Sequence, residues 1–266
     1  MCAFIYEEVG IRLGAEKKTM LEGRIRRRLK ALDLNSYGQY CDYLFDRRGH
    51  EQETVHLIDV VTTNKTDFFR EPTHFDLLLE KVLPELTSGD GSLRPLLFWS
   101  AGCSTGEEPY TLAIVLSEYA LNHPSFRFRI LATDVSTTVL AKAEMGVYPS
   151  STLDAVSPAL KRRYFMRSRE PGSERMRVVP ELRRLVEFRR LNFMDADYGL
   201  AEKASAIFCR NVIIYFDRPT QERILSKLTR HLVPGGYFFS GHSEALHDLN
   251  LPLEQVAPAL YRRTDA

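Results

Sequence analysis

Apolar residues in the first third of the chain recur with a helical period. Leu21, Ile25, Leu29 and Leu32 are separated by four, four and three residues, so they share one face of a helix. The same kind of spacing continues downstream and predicts three further helices, at residues 37–45, 55–62 and 75–82, the last ended by Pro84. We therefore expect a helical N-terminal domain over residues 1–86.

Beyond residue 95, short apolar runs alternate with amphipathic segments. Strands are predicted at residues 96–99, 126–132, 206–209 and 237–239. Helices are predicted between them, in the segment opened by Pro109, at 137–143 and at 219–231. This alternation is typical of a doubly wound, mostly parallel sheet. The predicted fold class is therefore α/β, with a Rossmann-like doubly wound domain over residues 87–266.

An arginine-rich stretch interrupts the alternation between residues 148 and 188. It contains β-like runs at residues 164–166, 176–179 and 185–188, and a turn at Pro171-Gly172-Ser173. We interpret the region as a small antiparallel β insert over residues 150–188. An insert that adds nothing to the main sheet is more often an interaction surface than a core element.

The composition excludes several classes of protein. Hydrophobic residues make up 44% and charged residues 27% of the chain, as in an ordinary globular protein. Lys and Arg number 36 and Asp and Glu number 35, so the global charge does not favour nucleic acid. No apolar run reaches the length of a membrane span, and the N-terminus lacks the basic and apolar regions of a signal peptide. We expect a cytoplasmic protein that does not insert into membranes.

Cysteines and candidate metal ligands are scattered along the chain. The four cysteines form no C-x-x-C pair, which fits a reducing compartment better than a disulfide framework. No cluster of His, Asp and Cys has the spacing of metal ligands, so no metal is expected.

The loop that follows the strand at residues 96–99 is a candidate ligand site. Such loops bind ligands in open α/β sheets, and Gly102 and Gly106 allow a ligand to approach the backbone. No lysine follows Gly106, which excludes a P-loop. Glu107 and Glu108 would repel a phosphate and attract an amino or sulfonium group. The alternative is that both carboxylates simply pair with the helix dipole.

The same loop contains a nucleophile-elbow pattern. The five residues centred on Ser104 read G-x-S-x-G, and Asp134 or Asp217 and then His242 follow in the chain order of hydrolase triads. A serine hydrolase is therefore a genuine alternative. Pro109 argues against it, because it indicates a helix that starts later than an elbow serine needs.

Three further segments carry polar side chains suited to a ligand. Asp134 ends the second strand, where an acidic residue commonly binds ribose hydroxyls; the alternative is a helix N-cap. Residues 64–71 form a loop rich in polar side chains, for which an ordinary interdomain loop is the alternative. The strand at 206–209 ends in Arg210 and Asn211, and the following Tyr215 either reaches a site above the sheet or packs in the core.

Together these segments resemble the CheR-type chemotaxis receptor methyltransferases over nearly the whole chain. The resemblance is carried by an arginine-rich second helix and by five motifs: N-x-T-x-F-F-R-E at 64–71, S-T-G-E-E-P-Y at 104–110, A-T-D at 132–134, C-R-N-V-x-I-Y-F at 209–216 and G-H-S-E at 241–244. Each motif alone is weak, but all of them in this order are highly specific. The family has a helical N-terminal domain, an α/β methyltransferase domain and an inserted β-subdomain, which matches the predicted layout.

The resemblance implies a protein-glutamate O-methyltransferase that acts in signal adaptation. It implies S-adenosylmethionine as the cofactor, S-adenosylhomocysteine as the product, and glutamate side chains on the cytoplasmic helical bundle of chemoreceptors as the substrate. Arg70 and Tyr215 would lie nearest the transferred methyl group. The implied cofactor contacts are Asn64, Thr66, Arg70, Glu108, Asp134, Asn192, Phe193, Arg210 and Asn211.

A glutamate acceptor would need no general base, because a pKa of about 4.3 leaves it ionised at neutral pH. The cationic donor and the anionic acceptor would neutralise each other as they react, which a dry pocket favours. Alignment of oxygen, methyl and sulfur is then the main task of the protein. A non-catalytic module that binds a nucleoside is a third interpretation of the same residues.

The segment Gly23–Lys30 carries a local excess of positive charge, with five basic residues in eight and no acidic one. With the apolar side chains of this helix facing the protein, Arg24, Arg27 and Arg28 share another face. This basic stripe would steer an acidic receptor surface, and the resemblance implies the same partner. The alternative is a solvated face. No wider basic surface suggests nucleic acid, and we expect a monomer.

Overall fold

The computed structural model describes residues 1–14, 17–46, 50–88 and 94–264. Its N-terminal part contains α1 (Cys2–Val9), which the apolar pattern did not place, and the predicted helices α2 (Lys18–Ala31), α3 (Tyr37–Phe45) and α4 (His50–Val61). These helices share an apolar core of their own, formed by Ile5, Val9, Leu21, Ile25, Leu29, Tyr40, Leu44, Leu57, Ile58 and Val61. The helical period of the sequence therefore gave the buried face of α2 correctly.

A buried carboxylate joins three of these helices. Glu53 of α4 is only 2% exposed, and Arg28 of α2 donates two hydrogen bonds to it, at 2.8 and 2.7 Å. Tyr40 of α3 donates a third, at 2.8 Å. Burial, together with this bond to Glu53, raises the pKa of Tyr40, so the phenol remains the donor. Charge pairing therefore holds this small core together as well as apolar packing.

Pro84 does not stop the helix predicted at residues 75–82. The segment runs through α5 (Thr73–Leu77), a π-helical turn (Leu78–Val82) and α6 (Leu83–Thr87). The π-helical turn shifts the hydrogen-bond register, and Pro84 falls in the first turn of α6, where its missing N–H costs little. Phe75, Leu78 and Val82 pack under the sheet and not with α1–α4. On packing alone the helical unit ends near Val61, upstream of the proposed boundary at residue 86.

A sheet of seven strands forms the centre of the remaining described chain: β1 (Leu96–Ala101), β2 (Phe128–Asp134), β6 (Val186–Arg190), β7 (Ala204–Cys209), β8 (Leu232–Ser240), β9 (Leu253–Ala257) and β10 (Leu260–Arg263). Their spatial order is β6-β2-β1-β7-β8-β10-β9. The first five in the spatial order are parallel, and β10 and β9 are antiparallel additions at one edge. The predicted α/β fold with a mostly parallel sheet is confirmed.

Helices cover both faces of this sheet. On one face, Phe98 of β1 packs with residues of helix α7 (Glu107–Asn122) and with Leu140 of helix α8 (Thr137–Met145). Its neighbours Leu97 and Trp99 point to the opposite face and pack with α11 (Arg218–Arg230). None of the helices in the described part of the chain has the length and apolar character that a bilayer crossing requires.

The predicted antiparallel insert exists, but one of its predicted strands belongs elsewhere. Strands β3 (Val147–Pro149), β4 (Phe165–Arg167) and β5 (Arg175–Val178) form a separate sheet in the order β3-β5-β4, flanked by α9 (Pro158–Tyr164) and α10 (Pro180–Arg183). The apolar run at residues 185–188 instead enters β6, which pairs in parallel with β2. A short apolar run has no feature that reveals its partner strand, so its assignment to the insert was wrong.

The helical unit docks beside the carboxyl ends of the parallel strands. Tyr6 of α1 donates a 2.7 Å hydrogen bond to the Asp217 carboxylate, and the Asn192 amide donates to the Glu8 carbonyl at 2.6 Å. Asp59 of α4 accepts from the hydroxyls of Thr137 and Thr138 at the start of α8, at 3.1 and 2.7 Å. These bonds place the end of α1 over the loops that follow β6 and β7.

Candidate active site

A pocket lies at the carboxyl ends of β1, β2, β6 and β7, where ligands bind in open α/β sheets. The loop at residues 62–70 and the end of α1 complete its wall. Every residue that the sequence proposed for cofactor binding or methyl transfer lines this pocket: Asn64, Thr66, Arg70, Glu108, Asp134, Asn192, Phe193, Arg210, Asn211 and Tyr215. The fold thus gathers four separate motifs around one cavity.

Gly102 allows the loop after β1 to turn close to the loop after β7. Its φ is +87°, and a Cβ atom at this position would lie 2.5 Å from a methyl carbon of Val212. Its N–H and that of Cys103 both donate to the Thr133 carbonyl, at 2.8 and 2.9 Å. Only glycine fits both the left-handed conformation and the close approach. Gly102 was predicted to let a ligand approach the backbone, and the structure shows that it also lets the loop containing Val212 pack closely.

Asp134 ends β2 with its carboxylate facing the pocket. One oxygen accepts the N–H of Ser104 at 2.9 Å, and the other accepts the N–H of Ser136 at 3.0 Å. Ser136, and not Asp134, is the N-cap of α8, so the helix-cap alternative for Asp134 was wrong. Burial raises the pKa of Asp134, and the backbone N–H groups oppose this effect. Each carboxylate oxygen still has a lone pair for a ligand hydroxyl.

Arg210 links two carboxylates at the base of the pocket. Its guanidinium lies 3.2 Å from Glu108 and 3.2 Å from Glu71, and it also donates to the Arg70 carbonyl. Burial raises the pKa of Glu108, against the opposing charge of Arg210. Burial would also raise the pKa of Glu71, but Arg210 and a bond from Asn211 outweigh it and lower that pKa. Two carboxylates share one guanidinium, which leaves an environment suited to a cationic ligand.

Strained backbone marks the two segments that carry Arg70 and Tyr215. Phe69 and Glu71, on either side of Arg70, have φ values of +54°, and the Arg70 side chain donates to the Lys65 carbonyl at 3.1 Å. Tyr215 ends a single 3₁₀ turn, Ile213–Tyr215, that follows a left-handed Asn211. Strain of this kind persists where surrounding contacts fix the loop, and it concentrates at functional sites.

Glu244 is a residue for which the sequence suggested no role. It is 6% exposed, and its carboxylate accepts three backbone N–H groups, from Asn211 at 2.8 Å, Ile213 at 2.8 Å and Gly241 at 2.6 Å. Burial raises its pKa, and these donors oppose the effect. Glu244 therefore holds the loop between Asn211 and Tyr215. The G-H-S-E motif was the one signal that could have pointed to it.

The end of α1 also contributes residues that the sequence analysis missed. Val9 and Ile11 line the pocket, and Ile11 forms an isolated antiparallel bridge with Phe216. Lys65 and Asp67 line it as well. No local pattern places Val9 or Ile11 at a site formed by strands of which the first begins only at Leu96. Only the docking of the helical unit brings them there.

The serine hydrolase alternative finds no support in the geometry. The Ser104 hydroxyl donates to the Asn64 carbonyl at 2.9 Å, and Asp134 binds backbone N–H groups. Among the described residues no histidine forms a hydrogen bond with Ser104. The φ of +50° at Ser104 is unusual for a serine, but the described part of the chain places no histidine beside it as the general base that a nucleophilic serine needs.

The pocket residues fit S-adenosylmethionine chemically. The Asn211 side-chain oxygen is buried in the pocket wall without a hydrogen-bond partner among the described residues. Such an acceptor requires a donor, and the cofactor offers an ammonium group and two ribose hydroxyls. Glu108 and Asp134 supply negative charge for the cationic parts of the same molecule.

The three arginines of the basic stripe on α2 differ in the contacts that they form within the protein. Arg24 donates to the carbonyls of Val61 and Thr62, at 2.5 and 3.0 Å, and Arg28 binds Glu53. Arg27 is exposed and forms no hydrogen bond or ion pair with the described residues. Of the three arginines proposed for partner binding, Arg27 is thus the one whose guanidinium is free to bind a partner.

Comparison with known proteins identifies the family. The all-alpha domain of CheR methyltransferases matches residues 1–62, and the SAM binding domain of CheR methyltransferases matches residues 64–260. Chemotaxis protein methyltransferase 2 of Pseudomonas aeruginosa is 45% identical, over 97% of this chain and 89% of its own length. The chemotaxis protein methyltransferases of Salmonella typhimurium and Escherichia coli are 41% and 40% identical, over 94% and 90% of this chain and 83% and 81% of their own lengths. The resemblance read from the motifs is therefore confirmed: the chain belongs to the CheR methyltransferase family.

Proposed function

We propose that the protein transfers the methyl group of S-adenosylmethionine to glutamate side chains of chemoreceptors, forming glutamate methyl esters and S-adenosylhomocysteine. The observation that carries this proposal is that all of the family's implied contact residues line one pocket. The relatives support it, since they are chemotaxis protein methyltransferases at 40–45% identity over most of the chain. Neither the hydrolase nor the non-catalytic alternative has comparable support.

The pocket residues divide the work of binding between charge and hydrogen bonding. Asp134 would hold the ribose hydroxyls, and Glu108 and the Asn211 oxygen would hold the cationic amino-acid part of the cofactor. When bound, S-adenosylmethionine supplies an electrophilic methyl group on a sulfonium. Apolar wall residues such as Phe75 and Phe216 exclude water, which strengthens the electrostatic contacts inside.

The acceptor requires orientation and no proton removal. A glutamate carboxylate is already ionised at neutral pH. Arg70 would draw it toward the pocket by charge, and Tyr215 would fix its direction by donating a hydrogen bond. Both residues act at the reacting end of the pocket, so their contribution belongs mainly to the transition state.

The receptor partner is proposed to dock on α2. Arg27 and its neighbour Lys30 are exposed on this helix, and an acidic receptor helix would meet them by electrostatic steering. We propose a protein partner of this kind, the cytoplasmic helical bundle of a chemoreceptor, with the enzyme acting as a cytoplasmic monomer. Nucleic acid is not proposed, because the chain as a whole is charge-balanced.

The test is direct methylation of a receptor fragment. Purified protein, S-adenosylmethionine and a chemoreceptor cytoplasmic domain should give base-labile methyl esters on specific glutamates, located by peptide mass spectrometry. Arg70→Ala and Tyr215→Phe should lower kcat by more than they weaken S-adenosylhomocysteine binding, measured by calorimetry. Binding of S-adenosylhomocysteine without transfer to any receptor glutamate would refute the proposed reaction.

A further inference from the structure

Three potential metal ligands meet next to the donor pocket. Glu71 and His74 come from the segment before and within α5, and His242 comes from the loop after β8. Their ligating atoms all lie within 4.8 Å of one another. The His74 Nδ1 atom is 3.4 Å from the Glu71 carboxylate, and the two imidazole rings meet edge to face with centroids 4.7 Å apart.

Of the three residues, His74 most directly indicates that a ligand binds here. Its side chain is fully buried, and neither ring nitrogen has a hydrogen-bond partner among the described residues. A buried imidazole with both nitrogens unpaired has lost its hydrogen bonds to water and has gained none within the protein, which costs free energy. A ligand bound between the three side chains would use one of these nitrogens.

The charge around the cluster favours a cation in spite of the nearby Arg210. Each Glu71 oxygen accepts one hydrogen bond, from Arg210 or from Asn211, both at 3.2 Å. A carboxylate oxygen has two lone-pair positions, so one on each oxygen remains. Arg210 is also paired with Glu108, so two carboxylates face a single guanidinium.

We propose that Glu71, His74 and His242 form a binding site for a divalent transition metal of the zinc class. Two imidazoles and one carboxylate are the donor set of zinc sites that leave a fourth position to water, whereas calcium and magnesium prefer oxygen ligands. Ligand atoms in such a site lie roughly 3.3 Å apart, so the side chains must close in on the metal. His242 is exposed and can rotate to do so.

Such a site joins two segments that frame the donor pocket. Glu71 follows Arg70 directly, and His242 lies two residues before Glu244, which holds the loop of Asn211. The metal would tie the segment at 71–74 to the loop after β8. Because it binds the folded form only, it should raise the temperature of unfolding.

The test is metal binding by tag-free protein, independent of methyl transfer. Calorimetric titration with zinc should give one site per chain, and cobalt should give the visible absorption of a tetrahedral site without a thiolate band. Zinc should also raise the melting temperature. His242→Ala should weaken zinc binding roughly tenfold or more and abolish the thermal shift. It removes an exposed side chain, so folding should be preserved.

Two exposed residues provide matched controls. His247 contacts Asp248 at 3.3 Å elsewhere on the surface, and Cys2 is an exposed thiol. His247→Ala and Cys2→Ser should bind zinc as the wild type does. Absence of a site in the wild type, or equal zinc affinity in His242→Ala, would overturn the proposal.

Discussion

At the scale of single residues, Glu244 allows a direct prediction, because one carboxylate positions two loops. Its carboxylate holds three backbone N–H groups of the loops after β7 and β8. Glu244→Gln would turn an amide NH₂ toward at least one of these donors, and an unpaired buried N–H costs about 1–3 kcal/mol. We expect kcat for receptor methylation to fall roughly ten- to hundredfold, because Tyr215 is carried by the same loop.

The neighbouring Ser243 is exposed, so Ser243→Ala provides the control and should retain wild-type turnover. S-adenosylhomocysteine affinity, measured on both variants, separates displacement of Tyr215 from collapse of the pocket. Wild-type kcat in Glu244→Gln would mean that the loop keeps its position without the carboxylate.

Asp134 permits a second prediction at this scale. Asp134→Asn keeps the size of the side chain but removes its charge and one of its acceptor oxygens. The loss of a charge-assisted bond to a ribose hydroxyl should weaken S-adenosylhomocysteine binding by about 1.5–3 kcal/mol, read by calorimetry. Unchanged affinity in a folded variant would limit Asp134 to its bonds with Ser104 and Ser136.

The sequence could point to most of these pocket residues because they lie in short motifs, three of which are found at the ends of β1, β2 and β7 and one of which follows α4. It could not predict the cluster of Glu71, His74 and His242, because His242 lies far from the other two residues in the chain and no local spacing links them. Residues 74 and 242 are brought together only by the packing of α5 against the end of β8. Nor could it predict that Arg24 and Arg28 would be bound by other residues of the same unit.

At the scale of the element, α2 combines stabilising and exposed arginines on one helix. Arg28→Ala would leave Glu53 buried without its ionic partner, and breaking a buried pair in this way costs about 3 kcal/mol. We expect a clear fall in the midpoint of urea unfolding. Arg27→Ala changes the exposed neighbouring position and should leave the midpoint unchanged.

The exposed positions of α2 make the opposite prediction. Reversal of charge at Arg27 and Lys30, as Arg27→Glu with Lys30→Glu, should leave stability and S-adenosylhomocysteine affinity unchanged. It should lower the rate of receptor methylation at low salt, and the wild-type rate should fall as salt rises. Normal receptor methylation by this variant at low salt would mean that the stripe is only a solvated face and that the receptor docks elsewhere, with the β insert as the next candidate.

Two predicted elements were wrong for reasons that lie outside the local sequence. Pro84 was expected to end a helix, but the π-helical turn at Leu78–Val82 shifts the backbone so that the proline starts the next helical segment. The apolar run at 185–188 was assigned to the insert, although β6 pairs with β2. The helical period and the places of the main parallel strands were predicted correctly, whereas hydrogen-bond register and strand partners depend on tertiary contacts.

At the scale of the whole molecule, the pocket is formed by two units with separate apolar cores. The helical unit contributes Val9 and Ile11, and the unit built on the sheet contributes Glu108 of α7 and Asp134 of β2. Cofactor binding should therefore depend on how firmly the two units are joined. A ligand held by both units favours their docked arrangement, and weaker docking must lower its apparent affinity.

Asp59 offers a test of this dependence, because it joins the units without lining the pocket. Its carboxylate accepts from the Thr137 and Thr138 hydroxyls at the start of α8. Asp59→Ala should weaken S-adenosylhomocysteine binding severalfold and reduce the rise in melting temperature that the ligand produces. Asp46→Ala, a change at an exposed position of the same unit, should do neither. Wild-type affinity in Asp59→Ala would mean that the contacts of Tyr6 and Asn192 are sufficient to hold the units together, and the coupling should then be sought at α1.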